Sequence, residues 1–280
     1  MAESSQPGSS RAGEGGRVRG ATRHGEIVRL EALGRRAWPA LAVEEQAGWL
    51  VGTSGADTRR ANSASPIADD PRPVEERIRR VEDFYARHGR AAVFKMTEAA
   101  LPSNLDRALA SRGYRRVSES LVMTLDLEAE SRSEARDPRI TLETDRIEPS
   151  WFDASVEFSE VSEDRRADYL AILEKILETT DAALFGRLDR ERGAESVALG
   201  CVTGEAVSLL RVATAQASRG QRLAEAVIRE ILTSALGRGA SLGLLAVEEE
   251  NDSARRLYDR LGFVERYRYW YRVKPARKSS

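Results

Sequence analysis

The sequence predicts an α/β (α+β) fold in two halves, each a mixed, mostly antiparallel sheet flanked by helices. Three observations carry this. Residues 207–263 alternate an apolar strand, a Gly-containing turn, an amphipathic helix, a second apolar strand and a second helix. That order requires a parallel or mixed sheet with a right-handed crossover. Leu105 to Tyr114 is a weaker copy of Leu257 to Phe263, each a helix ending in Gly-aromatic before a strand. Between the two lies residues 128–138, EAESRSEARDP, a charged stretch without periodicity that reads as a linker.

Residues 1–22 are rich in Ser, Gly and Arg and nearly free of large apolar side chains. Such a segment buries too little surface to offset its ordering, so a disordered tail is expected. The first domain is expected over 23–127. Ile27 to Trp38 reads as a short helix stopped by Pro39. Ala47 to Val51 and Thr58 to Ser63 read as strands joined by the turn Thr53-Ser54-Gly55. Pro73 to His88 places Val74, Ile78, Val81 and Tyr85 on one helical face, with Pro73 suited to the first turn and His88-Gly89 to a C-terminal cap. Ala91 to Met96, Pro102 to Arg112 and Leu121 to Leu127 follow as strand, helix and strand.

The second domain, 139–274, opens with the strand Ile140-Thr141-Leu142. Helices follow over Trp151 to Phe158 and Arg165 to Leu177, then strands over Leu184 to Leu188 and Ser196 to Val202. Val207 to Val212 is bounded by polar turns and reads as a strand. The next helix carries Leu223, Val227 and Ile231 at intervals of four and stops at Gly237 and Gly239. Leu242 to Val247 is a second buried strand. Asn251, Asp252 and Ser253 are capping residues for the helix that closes at Gly262. In Glu265 to Arg272 aromatic and basic residues alternate at period two, which suits a terminal strand better than base stacking. Residues 275–280 are read as a flexible tail.

Composition narrows the function. The chain has 280 residues, 32% charged and 41% hydrophobic, with a formal net charge of −1. No basic excess exists to neutralise phosphates, so nucleic acid is not an expected partner. No apolar run has the length of a membrane span, and the N-terminus lacks the apolar core of a secretion signal. The lone Cys201 fits a cytoplasmic chain and a buried strand position. His24 and His88, the only histidines, stand at no ligand spacing, so no metal is expected.

The turn carries the chemistry. A polar, glycine-containing turn that feeds a helix presents backbone N–H groups at the positive end of the helix dipole, which suits a phosphate. Arg219-Gly220-Gln221-Arg222-Leu223-Ala224 occupies that turn, and Asn251, Ala254, Leu257, Tyr258, Gly262 and Phe263 recur downstream in one register.

This pairing resembles the GNAT (GCN5-related) N-acetyltransferases, whose signatures are Gln/Arg-x-x-Gly-x-Gly/Ala and Asn-x-x-Ala-x-x-Leu-Tyr-x-x-x-Gly-Phe. The resemblance implies acetyl-CoA as co-substrate. The backbone of Val212, Ala213 and Thr214 would pair with the pantetheine arm, and Gly220 to Ala224 would take the pyrophosphate. Asn251 would contact the coenzyme, and Tyr258 would be the general acid. A carboxylate just past the second strand would be the base, Glu248 being the nominee beside Glu249 and Glu250. One departure stands out: Arg222 occupies the family's central glycine position, where glycine tolerates unusual φ.

The first half lacks the turn and looks like a degenerate GNAT half. Gly48-Trp49-Leu50 with Thr58 to Ser63 resembles actinobacterial two-half acetyltransferases, in which the first half packs on the catalytic one. Arg59, Arg60 and Asn62 are candidates for contacting a substrate carboxylate or for plain structural bonding. Glu157, Glu160, Glu163 and Asp164, in the stretch that shapes the acceptor site, hint faintly at a cationic amine. The expected activity is acetyl transfer to a primary amine, most simply a small molecule, in a ternary complex. The alternatives are an inactive acyl-CoA-binding or regulatory module and an acetyltransferase of protein lysines or N-termini. The acceptor, the acyl chain and the oligomeric state are not legible.

Overall fold

The computed structural model describes residues 14–55, 58–129, 137–191 and 193–274. Its strands are β1 (Ala42–Gln46), β2 (Trp49–Thr53), β3 (Ala64–Ser65), β4 (Val93–Thr97), β5 (Arg115–Asp126), β6 (Ile140–Thr144), β7 (Ala182–Arg190), β8 (Gly193–Thr203), β9 (Ala206–Thr214), β10 (Leu242–Glu248) and β11 (Val264–Val273). The helices are α1 (Glu14–Ala37), α2 (Val74–Arg87), α3 (Leu105–Ser111), α4 (Pro149–Phe158), α5 (Arg166–Thr179), α6 (Leu223–Leu236) and α7 (Asp252–Arg260).

All eleven strands form one mixed sheet, ordered β1-β2-β3-β4-β11-β5-β10-β9-β8-β7-β6. The two halves are stitched rather than apposed. β5, the last strand of the first half, lies between the last two of the second. It pairs antiparallel with β10 from Leu242↔Asp126 to Glu248↔Ser120, and with β11 from Val264↔Thr124 to Val273↔Arg115. Separating the halves would therefore break two ladders.

Period-two side-chain alternation sorts the second half's core onto two faces. Leu184, Ala198 and Val202 pack with Val227, Ile228 and Ile231 of α6. Their neighbours Ala183, Phe185, Val197, Leu199 and Cys201 pack with Trp151 of α4 and with Tyr169, Ile172 and Ile176 of α5. α6 sits so close to the sheet that a Cβ on Gly186 or Gly200 would lie 2.7 Å from Val227 or 2.3 Å from Ile231. Trp38 and Ala37, at the end of α1, join the α4–α5 side. In β11, Tyr267, Tyr269 and Tyr271 are buried, as the period-two reading required.

Three expectations need correction. The first helix is already formed at Glu14, inside the stretch read as a tail, while residues 1–13 lie outside the described residues. Extending a formed helix costs far less than nucleating one, so a polar segment can precede the part read as a helix. Thr58 to Ser63 is a turn, not a strand; only Ala64–Ser65 pairs. Asn62 explains it: its side chain accepts from Ser54 N at 2.8 Å and donates to Thr58 O at 2.9 Å, fixing a local loop. β1 was not expected, and the strand at Trp49 starts after an Ala47-Gly48 turn in which both residues have positive φ. The linker residues 130–136 and the tail 275–280 lie outside the described residues.

Candidate active site

The site is a wedge opened by the sheet itself. β9 and β10 run parallel but pair only over Leu242↔Ala206, Gly243↔Val207 and Leu244↔Ser208. Beyond that, β10 stays with β5 and β9 stays with β8. The β8–β9 register also shifts between the Val197 and Leu199 pairs, and Arg211 opposite the shift has φ 51°. A bulge of this kind bends its strand and takes backbone groups out of the ladder. Arg211 and Val212 are presented to the wedge in this way.

Two adjoining cavities fill the opening. One, of about 480 Å³, is lined by Val212, Ala213, Thr214, Arg219, Gly220, Arg222, Leu223, Ala224, Asn251 and Tyr258 among others. It gathers every coenzyme residue expected from the sequence except Gln221. That side chain is taken by Arg190, whose Nη1 donates to its Oε1 at 2.7 Å. The turn is held by Arg219 Nε donating to Thr214 O at 3.3 Å.

Arg222 resolves the departure from the glycine pattern. It sits at the N-cap of α6 with φ 58° and ψ 22°, the left-handed conformation a glycine would adopt there. Gly220, at φ 80°, adds a second left-handed residue, and a Cβ on it would meet nothing within 4 Å. No side chain caps α6. Its first N–H groups, which have no partner within a helix, line an open, unobstructed cradle. The residues present fit a pyrophosphate.

The second cavity, of about 680 Å³, is built by both halves. Trp38, Arg59, Arg60, Ser118 and Ser120 come from the first; Arg211, Val212, Glu248 and Asn251 come from the second. Tyr258 lines both cavities. Its ring packs edge-on against Phe263, and burial pushes its phenol up to about 12, with the charge of Arg60 pulling the other way. Asn251 Oδ1 caps α7 by accepting from Ala254 N at 3.0 Å, so only its amide remains for a ligand.

The three glutamates at the end of β10 now separate. Glu248 lines the cavity and is exposed. Glu249 is ion-paired with Arg268. Glu250 lines neither cavity. Glu157, Glu160, Glu163 and Asp164 also line neither. Asn62 is consumed by the Ser54–Thr58 loop, whereas Arg59 and Arg60 reach the cavity. Sequence reasoning passed over Arg211 and Trp38. A single charge within the apolar run LLRVA was the available signal. Cys201 is buried among apolar side chains, which pushes its thiol up and away from thiolate character. His88 caps α2 through Nδ1, 2.8 Å from Phe84 O.

A family model described as "Probable histone acetyltransferase Rv0428c C-terminal" matches residues 24–272. The chain belongs to this GNAT acetyltransferase family. A curated relative described as "Uncharacterized N-acetyltransferase YobR", from Bacillus subtilis (strain 168), is 28% identical over 251 residues, 89% of this chain and 99% of the relative. Among solved structures, a GCN5-related N-acetyltransferase from Kribbella flavida superposes with a TM-score of 0.63 at 15% identity, covering 91% of this chain and 95% of its own. A tandem GNAT protein from the clavulanic acid biosynthesis pathway gives 0.61 at 16%, covering 90% and 89%. At such identities these two speak for the GNAT fold alone. No helix among the described residues is long and apolar enough to cross a membrane.

Proposed function

We propose that this GNAT acyltransferase moves the acetyl group of acetyl-CoA to the primary amine of a small molecule by direct attack in a ternary complex. The observation that carries the reading is that Tyr258 lines both the cradle cavity and the cavity built by the two halves. One phenol thus borders the places for donor and acceptor.

In this reading the N–H groups of Gly220 to Ala224 hold the pyrophosphate, with Arg219 and Arg222 beside it. The edge of Val212, Ala213 and Thr214, freed by the splay of β9 from β10, receives the pantetheine arm. An N–H at the bulge polarises the thioester carbonyl. The amine nitrogen attacks the carbonyl carbon, and its surplus proton passes to Glu248, directly or through water. The C–S bond then breaks, and the thiolate takes a proton from Tyr258. Below pH 10 the Tyr258 phenol is neutral, as a general acid must be. Burial of Cys201 favours direct transfer over an acyl-enzyme. Walls from both halves favour a small acceptor over a protein chain, which needs an open groove.

Thiol release from acetyl-CoA over a panel of small amines and a lysine peptide tests this, with calorimetric titration of acetyl-CoA alongside. Turnover of a small amine with micromolar coenzyme affinity is the expected result. Coenzyme binding without turnover of any acceptor would favour the binding-module alternative, and turnover of the peptide alone would favour the protein-directed one.

A further inference from the structure

The charge on the acceptor cavity has the wrong sign for a simple cationic amine. Its charged lining consists of Arg59, Arg60 and Arg211 against the single Glu248. None of the three arginines has an ion pair among the described residues. Arg59 donates to Ser118 Oγ at 3.0 Å. Arg60 is half-buried beside the Tyr269 hydroxyl, with Tyr271 and Glu31 near enough to favour its charge. Arg211 Nε donates to Tyr169 Oη at 3.1 Å, and its guanidinium lies 4.4 Å from the centre of the Tyr169 ring. That stacking fixes the plane of the fork, yet Nη2 is buried with no protein partner.

The neighbouring small cavity deepens the imbalance. It is lined by Arg35, Lys95, Glu31 and, again, Arg60. Glu31 is already committed: Lys95 Nζ reaches both its oxygens at 2.7 Å and Tyr267 Oη donates to it at 2.8 Å. Arg35 Nη1 is also buried without a partner. A buried guanidinium donor left unmatched is costly, and planar forks match carboxylate and phosphate oxygens bidentately. The coenzyme does not account for these arginines. Its cradle cavity is lined by a separate set: Arg219, Arg222 and Arg260.

We infer that the acceptor is a small amine that also bears an anionic group, a carboxylate or a phosphate, held by Arg60 and Arg211 with Arg59 at the mouth. This rests on the acetyl-transfer reading for the word acceptor, but the anion site stands on its own geometry. A site built around a substrate anion rejects the neutral analogue strongly, because its buried donors are then left unpaired.

The test separates the two ideas. Calorimetry measures binding of α-amino acids, their uncharged α-amides and ethanolamine phosphate to the protein with coenzyme A present; thiol release is followed in parallel. The acids or the phosphate should bind at least about tenfold more tightly than the amides, and the better of the two identifies the anion. Arg60→Gln and Arg211→Gln should each erase that preference, with KM rising far more than kcat falls, and Arg60→Lys should restore part of it. Amides bound as well as acids, or a preference that survives in both glutamine variants, would overturn the inference. Preferential binding of acids without any thiol release would support the anion site while counting against these compounds as acceptors.

Discussion

The phenol of Tyr258 in α7 is lifted by burial to about 12 and drawn back by the charge of Arg60, which comes from the turn before β3. The two residues are far apart in the sequence and line one cavity. The first half therefore reaches the candidate site of the second through charge as well as through packing. Replacing Tyr258 by Phe keeps the ring and its contact with Phe263 but removes the proton. We expect kcat to fall roughly a hundredfold with acetyl-CoA affinity unchanged, read by steady-state kinetics and calorimetry. An unchanged kcat would remove Tyr258 as the acid.

Arg222→Gly tests whether the left-handed N-cap of α6 is strained. Glycine adopts φ near 58° without the Cβ clash, so the variant should be stabilised by about 1 kcal/mol. In thermal unfolding that is an upward shift of about 2–4 °C. Acetyl-CoA affinity should stay within about threefold, roughly 0.6 kcal/mol, because the cradle offers backbone N–H groups that both residues supply. A large gain in affinity would mean that arginine partly blocks the cradle.

Two glycine-to-alanine changes should split stability from binding. At Gly200 a Cβ would meet Ile231 at 2.3 Å, forcing α6 off the sheet. The expected cost is about 1–3 kcal/mol in denaturant unfolding. At Gly220 a Cβ meets nothing, so the strain at φ 80° costs only about 1 kcal/mol. The added methyl nevertheless enters the cradle, and coenzyme affinity should fall about tenfold. The reverse ranking would mean that the cradle lies elsewhere.

Glu31 holds a buried cluster together. At 3% exposure it faces Lys95, Arg35 and Tyr267; burial opposes its charge, yet Lys95 and its other partners hold it below the usual carboxylate range. Glu31→Gln leaves Lys95 and Arg35 as uncompensated, partly buried cations. Such a break costs about 3 kcal/mol or more, and chemical denaturation of the variant against wild type measures it. A loss under about 1 kcal/mol would show that water reaches the cluster.

Alkaline unfolding should be steep. The Tyr258 phenol titrates near 10 when unfolded and at about 12 when folded. Below pH 10 it is protonated in both states and its contribution is fully present. Between pH 10 and 12 the unfolded chain gives up the proton first, so stability falls as pH rises. A shift from 10 to about 12 is worth about 3 kcal/mol for this residue. Burial pushes Tyr85, Tyr114 and Tyr267 up in the same direction, adding to the slope. Urea midpoints measured from pH 8 to 11 check this; a flat profile above pH 10 would contradict it.

Local signals made the second half readable. The four-residue spacing of Leu223, Val227 and Ile231 and the apolar runs of β9 and β10 each predict one element, and the observed ranges of α6 and β10 agree closely. Thr58 to Ser63 misled because its conformation is set by the Asn62 side chain, which no pattern of apolar residues records. Among Glu248, Glu249 and Glu250 the sequence offered no choice. The pairing of Glu249 with Arg268, across the β10–β5–β11 ladders, provides one.

By itself, then, the sequence determined a GNAT fold and the glycine-containing turn that feeds α6, because both depend on neighbours within a few residues: periodicity, caps and a helix terminus. Only the tertiary structure decided that β5 is threaded between β10 and β11 and that Arg60 and Arg211 share a cavity. It also decided that Arg222 takes a glycine's backbone conformation. Those facts arise from strand pairing and packing between segments far apart in the chain. Register and burial across such distances depend on where the whole sheet places its strands.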